Sequence, residues 1–471
     1  MNSILDFIRS SEIKLNPHST AVILPDRKIT YAELNDLIKR TLAFLKETGI
    51  KKNDIITLLF NNSIELVVLT LSLWEIGAIP VPLNTKLLQK ELKDQVDFLK
   101  SKFTIKQRTV DFSFDSAISF SLKDLKETEE KIFFDNPSLD ETALILFTSG
   151  SSEKPKAVKL SFDNLIQSSL TGNKVLNQTS DDRWLASLPF YHIGGFSIIV
   201  RALMFGTSVV IPVSLSNQDL IDSIKKYKPT LTSLVSNQLK YFVDKDFIPP
   251  KELRTVLLGG GFFDTQLILK AINKKWNVAK VYGSTETSSF ISFMNTEELK
   301  TKPGASGKVI PPNKIKITED GEITIKGHSV MKGYFDNELE NLDSFIDGYF
   351  YTGDLGYFDE EGYLFVEAKR NDLIISGGEN INPLEIEKVI LSNPNVKEVC
   401  IVGKEDEQWG QILSAAIVLD QSANFTENDL TSFLREKLPS FKIPKKILFA
   451  CSGCMDNNNR LCSIIFSKAP D

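Results

Sequence analysis

Cysteine is scarce: the 471-residue chain has four, and none precedes Cys400. That excludes a disulfide-stapled scaffold, and a chain of this length can bury several cores without staples. Cys451 and Cys454 have CxxC spacing, but no second CxxC exists to complete a zinc site. The pair reads as local packing rather than metal or redox chemistry, and the scarcity of cysteine fits a reducing compartment. An excess of positive charge is also missing. Lys and Arg number 55 against 61 Asp and Glu, a net charge of −6, so no global field favours nucleic acid. Long apolar runs are missing too. The opening MNSILDFIRSSEIK has no signal-peptide core, and the most apolar stretch, Ile64 to Pro82, is broken by Glu65, Glu75 and Pro80. It reads as a buried helix running into a strand. There is no internal repeat and no low-complexity tract. The expectation is a cytoplasmic protein without membrane insertion.

What is present is an alternation of helices and strands. Thr30 and Glu33 form a capping-box pattern, followed by Leu34, Ile38, Leu42 and Leu45 at helical spacing and a stop at Gly49. Strand-like runs recur at 143–147, 208–212, 255–258 and 278–282, with helical patterns such as 220–227 between them. Such alternation predicts parallel sheets covered by helices. After about residue 310 the pattern becomes hairpins, 315–326 and 357–367, predicting a small antiparallel module. Lys369-Arg370-Asn371-Asp372 is a charged break. The domain reading is therefore 1–368 and 369–471, the second a small α+β domain.

Three segments after strands carry chemistry. Thr148-Ser149-Gly150-Ser151-Ser152-Glu153-Lys154-Pro155-Lys156 is rich in hydroxyls and lysine but does not have Walker spacing. Gly259-Gly260-Gly261 permits close backbone approach to a flat ligand. Tyr282-Gly283-Ser284-Thr285-Glu286-Thr287 offers an aromatic face, hydroxyls and a carboxylate suited to Mg²⁺. Each alone could be a plain turn. Three such loops at one sheet edge would converge on a nucleotide, because open α/β sheets bind ligands beyond the carboxyl ends of their strands. Asp354 could accept from ribose hydroxyls, or be an ordinary turn Asp. Ser376-Gly377-Gly378-Glu379-Asn380 is a permissive loop after the boundary.

The ordered set TSGSSEKPK, LPFYHIGG, LLGGG, YGSTET, YTGD and KRNDLIISGGENINPLEIE resembles the adenylate-forming superfamily of acyl-CoA synthetases, adenylation domains and luciferases, from about Thr30 to Pro444. The resemblance implies a large N-terminal α/β domain of stacked, mostly parallel sheets with an antiparallel β module, and a small mobile C-terminal lid. It implies ATP, Mg²⁺ and coenzyme A, a carboxylic acid activated as its acyl-adenylate, and a thioester product. By motif, Thr148, Ser149, Gly150, Ser151, Ser152 and Lys156 would hold phosphates. Gly259, Gly260, Gly261, Tyr282 and Gly283 would enclose the adenine. Thr285 would touch the α-phosphate, Glu286 would hold Mg²⁺, and Asp354 and Lys369 would take the ribose. Asn371 occupies the hinge position. Gly377, Gly378 and Lys442 would meet coenzyme A.

Within the superfamily the likeness is to the branch that uses o-succinylbenzoate. It rests on Asp181-Asp182-Arg183-Trp184-Leu185 leading into LPFYHIGGFSIIVRAL. His192, Ser197 and Arg201 would line the acid's pocket, with Arg201 one helical turn from Ser197 and facing a carboxylate. The chain departs from the family in three places. Lys369 replaces an arginine, Glu153 replaces a loop glycine, and Arg460 stands where a catalytic lysine is usual, keeping the charge on a planar head. A ligase for another aryl or medium-chain acid, or a degenerate nucleotide-binding protein, are the competing readings. A homo-oligomeric state is left open.

Overall fold

The computed structural model describes residues 4–8, 16–113, 117–128, 136–148, 156–261, 263, 265–369, 374–381, 383–420 and 425–450. They form two compact units, the larger ending at Ala368 and the smaller beginning at Lys369, with Lys86–Leu88 grouped with the smaller.

The larger unit is built as the alternation predicts. A nine-stranded sheet runs from Lys308–Val309 through Ser289–Met294, Val278–Ser284, Thr255–Leu258, Leu231–Leu234, Arg183–Leu185, Ser208–Val210 and Thr20–Ile23 to Lys28–Thr30. The strands from Val278–Ser284 to Thr20–Ile23 are parallel, and both flanks are closed by antiparallel strands. A four-stranded sheet around Ile55–Leu59 is parallel throughout. The antiparallel module holds Lys314–Ile317, Glu322–Lys326, Phe345–Ile346, Tyr349–Phe358 and Leu364–Lys369.

Helix ends follow their local chemistry. Thr30 caps Tyr31–Glu47, with Glu33 reaching back to the Thr30 N–H at 2.7 Å, and Leu34, Ile38, Leu42 and Leu45 form its buried stripe. The apolar segment becomes the helix Ile64–Ile76, buried along nearly its whole length between Ser63 and Gly77 caps, followed by the strand Ile79–Pro82. Among the described residues no helix is long and apolar enough to cross a membrane.

Two readings need correction. Thr142–Thr148 belongs to a separate three-stranded sheet with Lys156–Ser161 and Gly333–Tyr334, so the three ligand loops do not share one sheet edge. Helix Phe162–Leu176 follows that sheet directly and ties it to the large one, Ser168 Oγ donating to the Ser288 carbonyl at 2.7 Å. Asp354 is not an ordinary turn residue either: it lies inside the ten-residue strand Tyr349–Phe358, which pairs in irregular register with Glu322–Lys326.

In the smaller unit the sheet contains Glu379–Ile381, Ile374–Ser376, Gly410–Leu419 and Val396–Asp406, with Lys446–Ala450 added in parallel beside Gly410–Leu419. Gly377 and Gly378 form the two-residue turn between paired Ser376 and Glu379, with φ of 61° and 84°. Positive φ at both centres matches strand twist and is readily adopted by Gly-Gly. Cys400 is disulfide-bonded, against the expectation of a reducing compartment. Cys451, Cys454 and Cys462 lie outside the described residues.

Candidate active site

The hairpin joining Val278–Ser284 to Ser289–Met294 carries the densest chemistry. A Cβ on Gly283 would lie 2.0 Å from the Ser289 carbonyl oxygen, so only glycine allows the two strands to approach here. The strand predicted to end at Tyr282 thus continues to Ser284 and turns back through the single 3₁₀ turn Thr285–Thr287. Thr287 is fully buried, and its hydroxyl accepts from the Ser284 N–H at 2.8 Å and donates to the Ser289 carbonyl at 2.7 Å. Ser288 Oγ donates to the Ser329 carbonyl. The turn is pinned from inside, with Thr285 and Glu286 half-buried at its tip. Glu286 Oε1 accepts from the Tyr334 hydroxyl at 3.2 Å, and its carbonyl accepts from the Met331 N–H at 2.7 Å.

Tyr282 is on the same hairpin. Its hydroxyl donates to Asp354 Oδ2 at 2.7 Å, and burial, then the Asp354 charge, hold its phenol well above the usual tyrosine range. Asp354 is buried, preceded by Gly353, whose N–H donates to Glu322 Oε1. Gly259, Gly260 and Gly261 follow Thr255–Leu258, the parallel neighbour of Val278–Ser284. The adenine- and ribose-facing residues implied by the motifs therefore come from adjacent strands and one strand of the antiparallel module.

Helix Ile193–Phe205 begins at His192, whose ring lies edge-on to Tyr191 at 4.7 Å. Ser197 and Arg201 share its buried face, and Arg201 Nη1 donates to Ser197 Oγ at 3.2 Å. The guanidinium sits 4.6 Å from the Phe290 ring centre and 5.6 Å from that of Trp184. It is 2% exposed, and burial pushes its pKa down to about 9. Nε and Nη2, the adjacent donors of one edge of the fork, have no hydrogen-bond partner among the described residues. A buried cation in that state is costly unless an anion completes it.

Thr148 closes Thr142–Thr148 and Lys156 opens Lys156–Ser161. Ser149, Gly150, Ser151, Ser152 and Glu153 between them lie outside the described residues, as do Asn371, Arg460 and the side chain of Lys369. In the smaller unit Lys442 is not a solvated surface charge. Both oxygens of Glu385 accept from its ammonium, at 2.7 and 2.9 Å, and its side chain is 12% exposed. Motif reading missed Tyr334 and Glu385. Neither contact leaves a spacing signal, because the partners are 48 and 57 residues apart.

Strand order, the paired hairpin and the motif-bearing turns define a nucleotide-binding α/β enzyme. The AMP-binding enzyme model matches residues 11–335, and the AMP-binding enzyme C-terminal domain model matches 385–453. The chain belongs to the AMP-binding enzyme family. It is 36% identical to the 2-succinylbenzoate–CoA ligase of Bacillus licheniformis over 95% of this chain and 96% of that one. Its identity to the ligase of the same name from Listeria monocytogenes is 35%, over 93% of each chain. Among solved structures, o-succinylbenzoate coenzyme A synthetase from Bacillus subtilis, a double mutant bound with its product analogue OSB-NCoA, superposes with a TM-score of 0.91 at 33% identity, covering 100% of this chain and 99% of that one. The same Bacillus subtilis enzyme in complex with ATP and magnesium ion superposes with a TM-score of 0.74 at 34% identity, over 98% of each chain.

Proposed function

We propose that the protein is a cytoplasmic AMP-forming ligase that converts o-succinylbenzoate to its coenzyme A thioester. One carboxylate oxygen of the acid attacks the α-phosphorus of ATP, the bond to pyrophosphate breaks, and an acyl-adenylate forms. The coenzyme A thiol then attacks the acyl carbonyl, losing its proton, and AMP leaves. The relatives named above support the reaction. The acid itself is argued from Arg201: its buried fork has two adjacent donors open, the geometry that takes a carboxylate side-on. The acid must therefore carry a second carboxylate besides the one that reacts, as o-succinylbenzoate does.

The roles are those the motifs imply. Tyr282 and the Gly259–Gly261 backbone would flank the adenine, and Asp354, oriented by Tyr282, would accept from the ribose. Thr285 would meet the α-phosphate, where charge grows in the transition state. The residues suit Mg²⁺. Glu286 offers a hard carboxylate; among the described residues its Oε2 has no hydrogen-bond partner and no group of three or more His, Cys, Asp or Glu gathers there. That is the donor set of a cation taking most of its ligands from phosphate and water. Bound there, Mg²⁺ would neutralise phosphate charge during adenylation. Thr148, the serines after it and Lys156 would hold the β- and γ-phosphates. Residues 1–368 would act as the ATP- and acid-binding domain and 369–471 as the lid, hinged at Asn371. The lid would bring Arg460 to adenylation and Gly377 and Gly378 to coenzyme A, while Lys442, expected there by motif, is engaged by Glu385.

Pyrophosphate release across a panel of aromatic mono- and dicarboxylic acids, with and without coenzyme A, tests the reading. Release with o-succinylbenzoate and little with benzoate is expected. Equal rates with both would return the chain to a general aryl-acid ligase, and ATP binding without release would make it a degenerate nucleotide binder.

A further inference from the structure

Tyr334 belongs to none of the motifs, yet its hydroxyl is the one side-chain donor that reaches the Glu286 carboxylate among the described residues. It is 4% exposed and held from several directions. The Asn341 side chain clamps its backbone, Oδ1 accepting from the Tyr334 N–H at 2.6 Å and Nδ2 donating to its carbonyl at 3.1 Å. Gly333–Tyr334 pairs antiparallel with Lys156–Ser161, placing Tyr334 opposite Val158. The next residue, Phe335, donates its N–H to the Ala157 carbonyl at 2.7 Å. Two residues earlier, Lys332 donates its N–H to Lys159, and Met331 donates to the carbonyl of Glu286 itself. The segment Met331–Phe335 is thus bonded at one end to Glu286 and along its length to the strand that follows the phosphate-loop motif.

The phenol has one orientation. Ser344 hydrogen-bonds its oxygen, and the phenolic proton is directed at Glu286. The bond at Oε1 fixes the plane of the carboxylate, and Oε2, with no hydrogen-bond partner among the described residues, is the oxygen left to a cation. Outer partners of this kind set the direction and basicity of a metal-binding carboxylate.

We propose that Tyr334 is a positioning residue for adenylation: it fixes Glu286 so that a single carboxylate oxygen meets the divalent cation of bound nucleotide. The proposal rests on the metal role given to Glu286 above. It separates Tyr334 from a merely structural tyrosine, because the effect must appear in the cation dependence.

The test is Tyr334→Phe, which keeps the ring and removes only the hydroxyl. Manganese binding in the presence of ATP and the absence of acid, read by electron paramagnetic resonance, should weaken about tenfold, the lower end of the range for loss of an outer partner. The Mg²⁺ concentration for half-maximal pyrophosphate release should rise by the same factor, with the rate restored by excess Mg²⁺. Unchanged manganese affinity and an unchanged Mg²⁺ titration would overturn the proposal. So would a loss of rate that excess Mg²⁺ does not relieve, since that is the mark of damaged packing. Were no acid to release pyrophosphate from the parent enzyme, the substrate reading would fall, while the manganese measurement would still decide Tyr334.

Discussion

The Tyr282 hydroxyl donates to Asp354 Oδ2 at 2.7 Å, joining the large sheet to the antiparallel module across 72 residues of sequence. The bond occupies one oxygen of a carboxylate that is only 9% exposed, and so sets the direction of the other. Asp354→Ala should raise KM for ATP tenfold or more, from loss of a charge-assisted contact of about 1.5–3 kcal/mol. Tyr282→Phe should raise it less, about fivefold, because its effect of ~1 kcal/mol on ATP acts only through the orientation of Asp354. ATP–pyrophosphate exchange measures both. Equal ATP dependence in parent and Asp354→Ala would remove Asp354 from the ribose site.

Asp182 anchors the strand that begins at Arg183. It accepts from Arg254 Nε and Nη2 at 2.9 and 2.7 Å, from Thr230 Oγ1 at 2.6 Å and from the Thr179 N–H at 2.9 Å. Burial alone would raise its carboxyl, but Arg254, Thr230 and Thr179 outweigh it and hold the pKa below the usual 3.8. A depressed acid stabilises the fold above its unfolded pKa and loses that contribution as pH falls through the folded one. Asp182→Asn should therefore cost about 1.5–3 kcal/mol near neutrality, since it removes the charge from the bonds that the buried carboxylate accepts from Arg254. The gap to the parent, from urea unfolding, should hold from pH 7 to pH 5 and shrink below about pH 4. A gap that widens in acid would contradict the assignment.

Lys442 is held by both oxygens of Glu385 inside the smaller unit. A cation already paired and mostly buried gains little from a second anion. Lys442→Met should lower the thermal midpoint of the protein slightly, a partly exposed pair contributing about 1 kcal/mol, and leave KM for coenzyme A within about twofold. A tenfold rise in that KM, with the midpoint unmoved, would assign Lys442 to the thiol substrate's phosphates instead.

Local chemistry made much of this readable in the sequence. The Thr30–Glu33 box and the stripe from Leu34 to Leu45 specify their helix within one turn of chain, and the fold follows from repeating such units. The glycine of YGSTET was read as a loop residue. In the structure it sits within a strand, because the close pairing that would put a Cβ 2.0 Å from the Ser289 carbonyl oxygen is a tertiary fact with no periodicity. The separate sheet of Thr142–Thr148 was illegible for a similar reason. A buried strand reads the same whichever sheet receives it, and its neighbour Gly333–Tyr334 comes from some 185 residues later, beyond any local signal. Arg201 was legible as a helix neighbour of Ser197, and its two open donors only from packing.

Arg201 also yields a prediction in which stability and function move in opposite directions. Its guanidinium is fully desolvated among Trp184 and Phe290, with one hydrogen bond to Ser197 and none at Nε or Nη2 among the described residues. Without ligand, such a cation opposes folding, and an apolar replacement of similar volume relieves it. In comparable cases the change is neutral or stabilises by about 1–4 kcal/mol. Arg201→Met should therefore raise the urea midpoint, or leave it unchanged, while raising KM for o-succinylbenzoate more than tenfold, the loss of a charge-assisted contact. KM for benzoate, which has no second carboxylate, should change by less than about threefold. Lysine is the control: Arg201→Lys keeps the charge but not the fork, and should recover only part of the affinity. If Arg201→Met lowers the midpoint and raises KM equally for both acids, the arginine is a packing element, and the second carboxylate is read elsewhere in the site.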